Sequence, residues 1–279
     1  MSNIKLDLDQ ISRLLFDLTN EQAGNAELAS FFTLLHHLGL KGLGIGGGGG
    51  VEESGEAYAI AHVRQILEQR YPDTPLVLFD VGANVGGFLG KLYPAFIDCP
   101  HRIFSFEPSP ATFAKLSATA VDMQDVFLYN IGCGATDGAF DLFTDRPGSA
   151  IASLYQRRID HYATALTQRE TVTLRALDSF CAEHKIERIH YLKMDVEGHE
   201  MECLKGAKTL LADGRIDFIQ FEFGGANIDS RIFFQDFWYI LENYQIFRIM
   251  KNGLYEINKY SEFEEIFVIQ NFLAMRRKN

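Results

Sequence analysis

The sequence predicts an α/β protein built on a mostly parallel sheet, and three observations carry that reading. From Leu76 onward, short apolar runs alternate with helical segments, as strands covered on both faces require. The first of those runs leads directly into a glycine-rich turn and then a helix, the arrangement of a ligand-binding sheet edge. The composition is that of an ordinary globular chain: 279 residues, 47% apolar and 23% charged.

Residues 1–50 form a helical extension in this reading. Leu8, Ile11, Leu15 and Leu18 recur at helical spacing, as do Leu28, Phe31, Leu35 and Leu38, so two amphipathic helices are expected. The run Gly46–Gly50 is a flexible linker, and the main domain occupies 51–279. A third helix is expected over Glu56–Gln69, stopped by Tyr71-Pro72. Strands follow at Leu76–Asp80, Arg102–Glu107, Val126–Asn130, His190–Asp195 and Asp217–Glu222. Helices follow Asn84, Pro110, Asp178, His199 and Ser230, and the one over His199–Ala212 is stopped by Asp213-Gly214. The extended stretches Ala139–Thr144 and Glu170–Leu174 interrupt the alternation and suggest a hairpin beside the site. Tyr244–Met250, Leu254–Ile257 and Ile266–Met275 close the sheet, with one antiparallel strand expected there.

Lys and Arg total 26 against 37 Asp and Glu, a formal net charge of -11, and no basic run precedes Arg276-Arg277-Lys278. A duplex nucleic-acid partner is therefore disfavoured, because phosphate binding needs concentrated cationic surface. Cys99, Cys133, Cys181 and Cys203 lie far apart without C-x-x-C spacing, which argues against a disulfide framework or a zinc site. No leader pattern opens the chain, and no apolar run reaches the roughly 18 residues of a membrane span. A reducing, cytoplasmic setting is expected.

The first strand enters Val81-Gly82-Ala83-Asn84-Val85-Gly86-Gly87. A dinucleotide fingerprint would place glycines at 82, 84 and 87, the middle one admitting a pyrophosphate, but Asn84 stands there. A Rossmann-like site for a cofactor without phosphate removes that requirement, and S-adenosylmethionine is such a cofactor. Asp80 is then expected to meet the methionine amine, with Gly82 and Gly86 keeping the turn open. Glu107, closing the second strand, can accept both hydroxyls of a ribose. The structural alternatives are a plain strand-to-helix turn and a solvated strand-end Glu. A second spaced-glycine match, Gly42-Leu43-Gly44-Ile45-Gly46-Gly47, follows helix-like sequence and is read as accidental, while Ser54 is read as a helix N-cap.

Lys193-Met194-Asp195-Val196-Glu197-Gly198-His199-Glu200 places three carboxylates and an imidazole where a buried strand ends. Such a concentration is expensive to desolvate unless water, a metal or a substrate meets it, so a functional site is the better reading. For Glu200 the preferred role is structural, as negative charge in a first helical turn. Glu222 ends the next strand and should approach Asp195. The candidate catalytic groups are Asp195, His199, Glu222 and Glu197. Asp195, Glu197 and Glu222 are also hard-oxygen candidates for Mg2+, ranked slightly behind a metal-free general base because their spacing is not diagnostic.

FDVGANVGGF, FSFEPSP, YNIGCG, ALDSF and above all YLKMDVEGHEMECLKGA resemble the FkbM family of S-adenosylmethionine-dependent methyltransferases, over roughly residues 54–223. That resemblance implies a Rossmann-like methyltransferase sheet and O-methylation of a sugar or natural-product hydroxyl. It implies cofactor roles for Asp80, Gly82, Asn84 and Glu107, and places Asn130 and Asp195 beside the adenosine and the methyl donor. A small-molecule or glycan acceptor is the implied partner. The apolar stripes of the first two helices suggest packing on the catalytic domain or on a second copy of the chain. A nicotinamide-dependent oxidoreductase and a non-catalytic scaffold are the rival readings; Asn84 counts against the first and the acidic cluster against the second.

Overall fold

The structure is a computed structural model that describes residues 7–46 and 54–277. Residues 47–50, most of the glycine run, lie outside the described residues. The chain divides into two compact units, Met1–Leu43 and Gly44–Asn279. In the first, α1 (Leu8–Gln22) and α2 (Ala29–Gly42) flank a short 3-10 turn, Ala26–Leu28. The Asp7 carboxylate caps α1 by accepting from the Asp9 and Gln10 amides at 3.1 and 3.3 Å. Neither helix buries a residue, and Leu15, Phe31 and Leu38 are exposed.

The second unit opens with α3 (Glu56–Arg70), followed by β1 (Leu76–Val81), α4 (Leu89–Phe96), β2 (His101–Phe106), α5 (Pro110–Thr119) and β3 (Val126–Tyr129). Then come β4 (Gly132–Cys133), β5 (Gly138–Thr144), β6 (Gln168–Arg175), α6 (Leu177–Glu183) and β7 (Ile189–Met194). The chain ends through α7 (Glu200–Lys205), α8 (Lys208–Ala212), β8 (Ile216–Phe223), α9 (Gly225–Ser230), α10 (Phe234–Ile240), β9 (Tyr244–Met250), β10 (Gly253–Ile257) and β11 (Gln270–Arg276).

An eight-stranded sheet runs in the order β10-β9-β11-β8-β7-β1-β2-β3. Strands β8, β7, β1, β2 and β3 pair in parallel. The sequence led to one antiparallel strand; there are two, since β11 runs against both β8 and β9, and β10 runs against β9. Every residue of β1 and β7 is buried, because helices cover both faces. On one face Leu78, Tyr191, Phe218 and Leu273 pack with α3 and α4. On the other, Phe79, Leu192 and Ile219 pack with residues of α6, α7, α8 and α10.

The expected hairpin exists as β5 and β6, antiparallel over their whole length, but it belongs to a separate small sheet with β4. The single helix expected over His199–Ala212 is broken at Gly206-Ala207. The cause is Asp178 at the start of α6, whose carboxylate accepts from the Thr209 and Leu210 amides at 2.7 and 3.0 Å and so starts a second helix. The four cysteines are free thiols. Among the described residues no helix is long and apolar enough to cross a membrane.

Candidate functional site

A cavity of about 430 Å³ opens at the carboxyl ends of β1, β2, β7 and β8, the edge where open α/β sheets bind ligands. The turn after β1 forms its floor. The Gly82 and Ala83 amides both donate to the Phe106 carbonyl, at 3.0 and 2.9 Å, which ties the turn to β2. Gly82 sits at φ 79, and a Cβ there would lie 1.9 Å from the Asp195 carbonyl oxygen. No other residue fits that approach of the turn to the end of β7. Asn84, also left-handed at φ 49, donates its amide to Glu107 Oε2 at 3.0 Å. The Ser109 amide donates to Glu107 Oε1 at 2.9 Å. Burial pushes the Glu107 carboxyl up to about 7, against the lowering effect of those two amides. Each oxygen keeps a second lone pair for a ligand hydroxyl.

Gly82, Asn84 and Glu107 line the cavity; Gly86 and Asn130 do not. Gly86 turns the chain toward α4 at φ 91, and its amide donates to Ala83 O at 2.9 Å. Asn130 buttresses the site from outside, donating to the carbonyls of Glu107 and Pro108 at 2.9 and 3.0 Å.

Asp80 was expected to face the cofactor directly. Instead it is fully buried beneath the cavity, and the longer Lys193, opposite it on β7, lines the cavity in its place. Burial pushes Asp80 up to about 6, offset in part by the Lys193 ammonium at 3.8 Å. The same ammonium donates to Asp195 Oδ2 at 3.2 Å and stands 4.9 Å from the centre of the Phe88 ring. Burial alone would lower the Lys193 pKa, but the carboxylates of Asp195, Asp80 and Glu56 raise it above the ordinary range.

The acidic residues do converge on the cavity: Asp195, Glu197 and Glu222 all line it. Burial first, then the charges of Asp195, Glu197 and Glu200, raises Glu222 well above the usual carboxylate range. Glu197 is pushed up to about 7 by burial and Asp195, with Arg157 working the other way through an ion pair. Its backbone is left-handed, at φ 53, and its carbonyl accepts from Ser153 Oγ at 2.8 Å. Held conformations of this kind concentrate at functional sites. The three carboxylates are not placed together as a ligand set, as the Mg2+ alternative requires. Asp195 is engaged by Lys193 and Glu197 by Arg157, and among the described residues no group of three acidic, His or Cys side chains is placed to hold a metal.

His199 lies outside the lining. It precedes α7, its Nδ1 meets the Tyr155 hydroxyl at 3.1 Å, and burial lowers its pKa to about 4. Glu200 does more than favour a helix dipole: its Oε1 accepts from the Val196 and Gly198 amides at 2.9 and 3.3 Å, shaping the loop, and burial pushes it up to about 8. The N-cap of α3 is Gly55, not Ser54. Ser54 instead donates to Glu56 Oε2 at 3.0 Å, and both residues line the cavity.

Lys193, Glu56 and the β11 residues Gln270 and Asn271 are among the lining residues to which sequence reasoning gave no role. Lys193 carried a usable signal, since a lysine inside an otherwise apolar strand must find buried anions. Glu56 carried none, because its position depends on how α3 docks.

Comparison with known proteins agrees with this geometry. Residues 80–255 match the model of the methyltransferase FkbM domain. The chain is 29% identical over 156 residues to Methyltransferase 1 of Beauveria bassiana, covering 49% of this chain and 59% of that protein. It is 25% identical over 154 residues to the hexuronic acid methyltransferase AglP of Haloferax volcanii, covering 53% and 56%. It is 23% identical over 167 residues to the 2-O-methyltransferase NoeI of Sinorhizobium fredii, covering 57% and 68%. The matched stretch thus spans little more than half the length of the first two relatives. With its glycine turn, its anchored Glu107 and its acidic strand end all inside the matched residues, the chain belongs to the FkbM methyltransferase family.

Proposed function

We propose that the protein is an S-adenosylmethionine-dependent methyltransferase that methylates a hydroxyl group, with a sugar or sugar-like natural product as acceptor. One observation carries this reading: a single cavity joins Glu107, anchored at its nucleoside end, to Asp195 and Glu222 at the other. The donor set suits the cofactor. Glu107 offers free lone pairs to a ribose, the Gly82 turn leaves room for close approach, and the lining carboxylates complement a cation. A pyrophosphate fits poorly, since Lys193 is the one Lys or Arg among the described lining residues, a single cation against two phosphate charges. The cavity volume falls within the ~300–1,000 Å³ of small-molecule sites.

S-adenosylmethionine supplies an activated methyl group on a sulfonium. The protein must then align an acceptor oxygen and take its proton. Glu222 is assigned the proton, because burial and neighbouring carboxylates give it a high proton affinity at the cavity wall. Asp195, ion-paired with Lys193, is assigned the hydrogen bond that orients the hydroxyl. His199, outside the lining, holds the Tyr155 segment. The sugar assignment is supported by the name of one relative, a hexuronic acid methyltransferase, and the oxygen assignment by that of another, a 2-O-methyltransferase. The test is calorimetric titration with S-adenosylmethionine and NAD, then mass analysis of a panel of neutral and acidic glycans. Binding of NAD alone, or methyl transfer to nitrogen alone, would refute the proposal.

A further inference from the structure

We propose that Glu56 and Lys193 together receive the α-amino-acid end of the cofactor, Glu56 taking its ammonium and Lys193 its carboxylate. The inference rests on the S-adenosylmethionine reading above and names residues that reading does not need. An α-amino acid carries a cation and an anion two bonds apart, so its complement is an anion and a cation side by side in one wall. Glu56 and Lys193 supply that pair: Gln220, the register partner of Lys193 on β8, donates to Glu56, and both residues line the same cavity as the Gly82–Asn84 turn and are 8% and 4% exposed. Asp80 cannot serve, being sealed beneath Lys193's strand face with no cavity surface.

Both groups keep capacity for a ligand. Lys193 has three N–H donors and one hydrogen bond among the described residues, to Asp195. Glu56 Oε1 accepts from Gln220 Nε2 at 2.8 Å and Oε2 from Ser54 Oγ at 3.0 Å, leaving a lone pair on each oxygen. Gln220 is itself oriented, since the Tyr191 hydroxyl donates to its Oε1 and turns the amide N–H toward Glu56. The carboxylate is therefore aimed by a buried relay rather than left to a solvated helix start. Gly55 fixes the approach of α3: it sits at φ 83, and a Cβ there would lie 2.2 Å from the Met250 carbonyl oxygen. Burial raises the Glu56 proton affinity and Lys193 lowers it, so a ligand cation would further relieve the buried charge. Glu56 precedes residue 80, so this chain completes its site with a helix lying before the family-matched residues.

The experiment is calorimetry on the full chain with four ligands: S-adenosylhomocysteine, 5′-methylthioadenosine, S-adenosylmethionine and its decarboxylated form. On the unaltered protein, loss of the whole amino-acid end or of the carboxylate alone should each weaken binding by roughly 10- to 100-fold, as charged hydrogen bonds do. Glu56→Gln should weaken S-adenosylhomocysteine by a similar factor and leave 5′-methylthioadenosine unchanged. Equal binding of S-adenosylhomocysteine and 5′-methylthioadenosine by the unaltered protein overturns this inference while sparing the cofactor reading. Equal binding of the decarboxylated form overturns the Lys193 assignment, and an equal loss for both nucleosides in Glu56→Gln makes Glu56 structural. If none of the four binds, the cofactor reading and this inference fall together.

Discussion

The two ends of the cavity are built on different principles. At one end a single carboxylate, Glu107, is held by amides of the turns after β1 and β2, so its geometry is set by neighbouring backbone. At the other end Asp195, Glu197 and Glu222 crowd together and are balanced by Lys193, two residues before Asp195, and by Arg157 from a distant part of the chain. Under the proposed function the first end serves recognition and the second proton chemistry. Burial raises proton affinity at both ends; crowding of like charges adds to it at the second, while the two amides oppose it at the first.

The sharpest way to break that contrast is to remove charge from each end in turn. Glu222→Gln and Asp195→Asn should each lower turnover by roughly 10²–10⁴-fold, and Glu222→Gln should do so with S-adenosylhomocysteine affinity near that of the unaltered protein. His199→Ala should leave turnover within the range of a mild packing change. If the two carboxylate variants turn over the true acceptor normally, the acid end is structural. Glu107→Ala should give the opposite signature, weakening nucleoside binding by about 1–3 kcal/mol through the donors left unpaired. Unchanged affinity in that titration would remove Glu107 from the site.

Acidity provides a finer probe of the crowded end. Turnover should rise with pH along a limb displaced above the ordinary carboxylate range, because Glu222 must lose its proton before accepting another. Stability should move the other way. Glu200 is pushed from 4.5 up to about 8 by burial, so the folded state holds that proton more tightly than the unfolded chain. Its contribution is fully present below about 4.5 and is lost as pH rises toward about 8. Glu200→Gln keeps an acceptor for the Val196 and Gly198 amides and removes the titration, so its Tm should vary less over that window. A parallel Tm profile in the variant would assign the trend to other groups.

The smallest expected effect on catalysis comes from the first unit. The exposed apolar residues of α1 and α2 are proposed to be covered by a second copy of the chain. Light scattering should then show a dimer or larger species for the full chain and a monomer for a fragment beginning at Gly44, with similar turnover. Equal mass for both would end that proposal.

Much of this was legible because it is local. The β1 turn, the glycine at 82 and the carboxylate at 107 are adjacent strand ends, and periodicity alone places them on one edge. The three acids at 195, 197 and 222 were also brought together as neighbouring strands require. What failed depended on side-chain length or on distant contacts. Asp80 was misplaced because a strand pattern does not tell that a lysine on the adjacent strand overreaches it. The break in His199–Ala212 came from a cap delivered by Asp178, and Glu56 from the docking of a helix on Met250. Asn130 and His199 carry plausible residue types, yet their partners turn them away from the cavity.

The buried row Ser105, Asp80, Lys193 and Gln220, one residue on each of four adjacent strands, also specifies the order and alignment of the sheet. Sliding β7 by a single residue would invert its faces and drive the Lys193 ammonium in among Phe79 and Ile219. Apolar strands as uniform as β1 and β7 have little else to tell correct from slipped pairing. The ionic row therefore acts during folding as a discriminator between near-identical sheets. Replacing Lys193 alone by Met should destabilise the protein by about 3–5 kcal/mol, since Asp80 is left buried without its cation. Replacing Asp80 and Lys193 together by apolar residues should restore stability while broadening the amide spectrum of β7, as alternative alignments become populated.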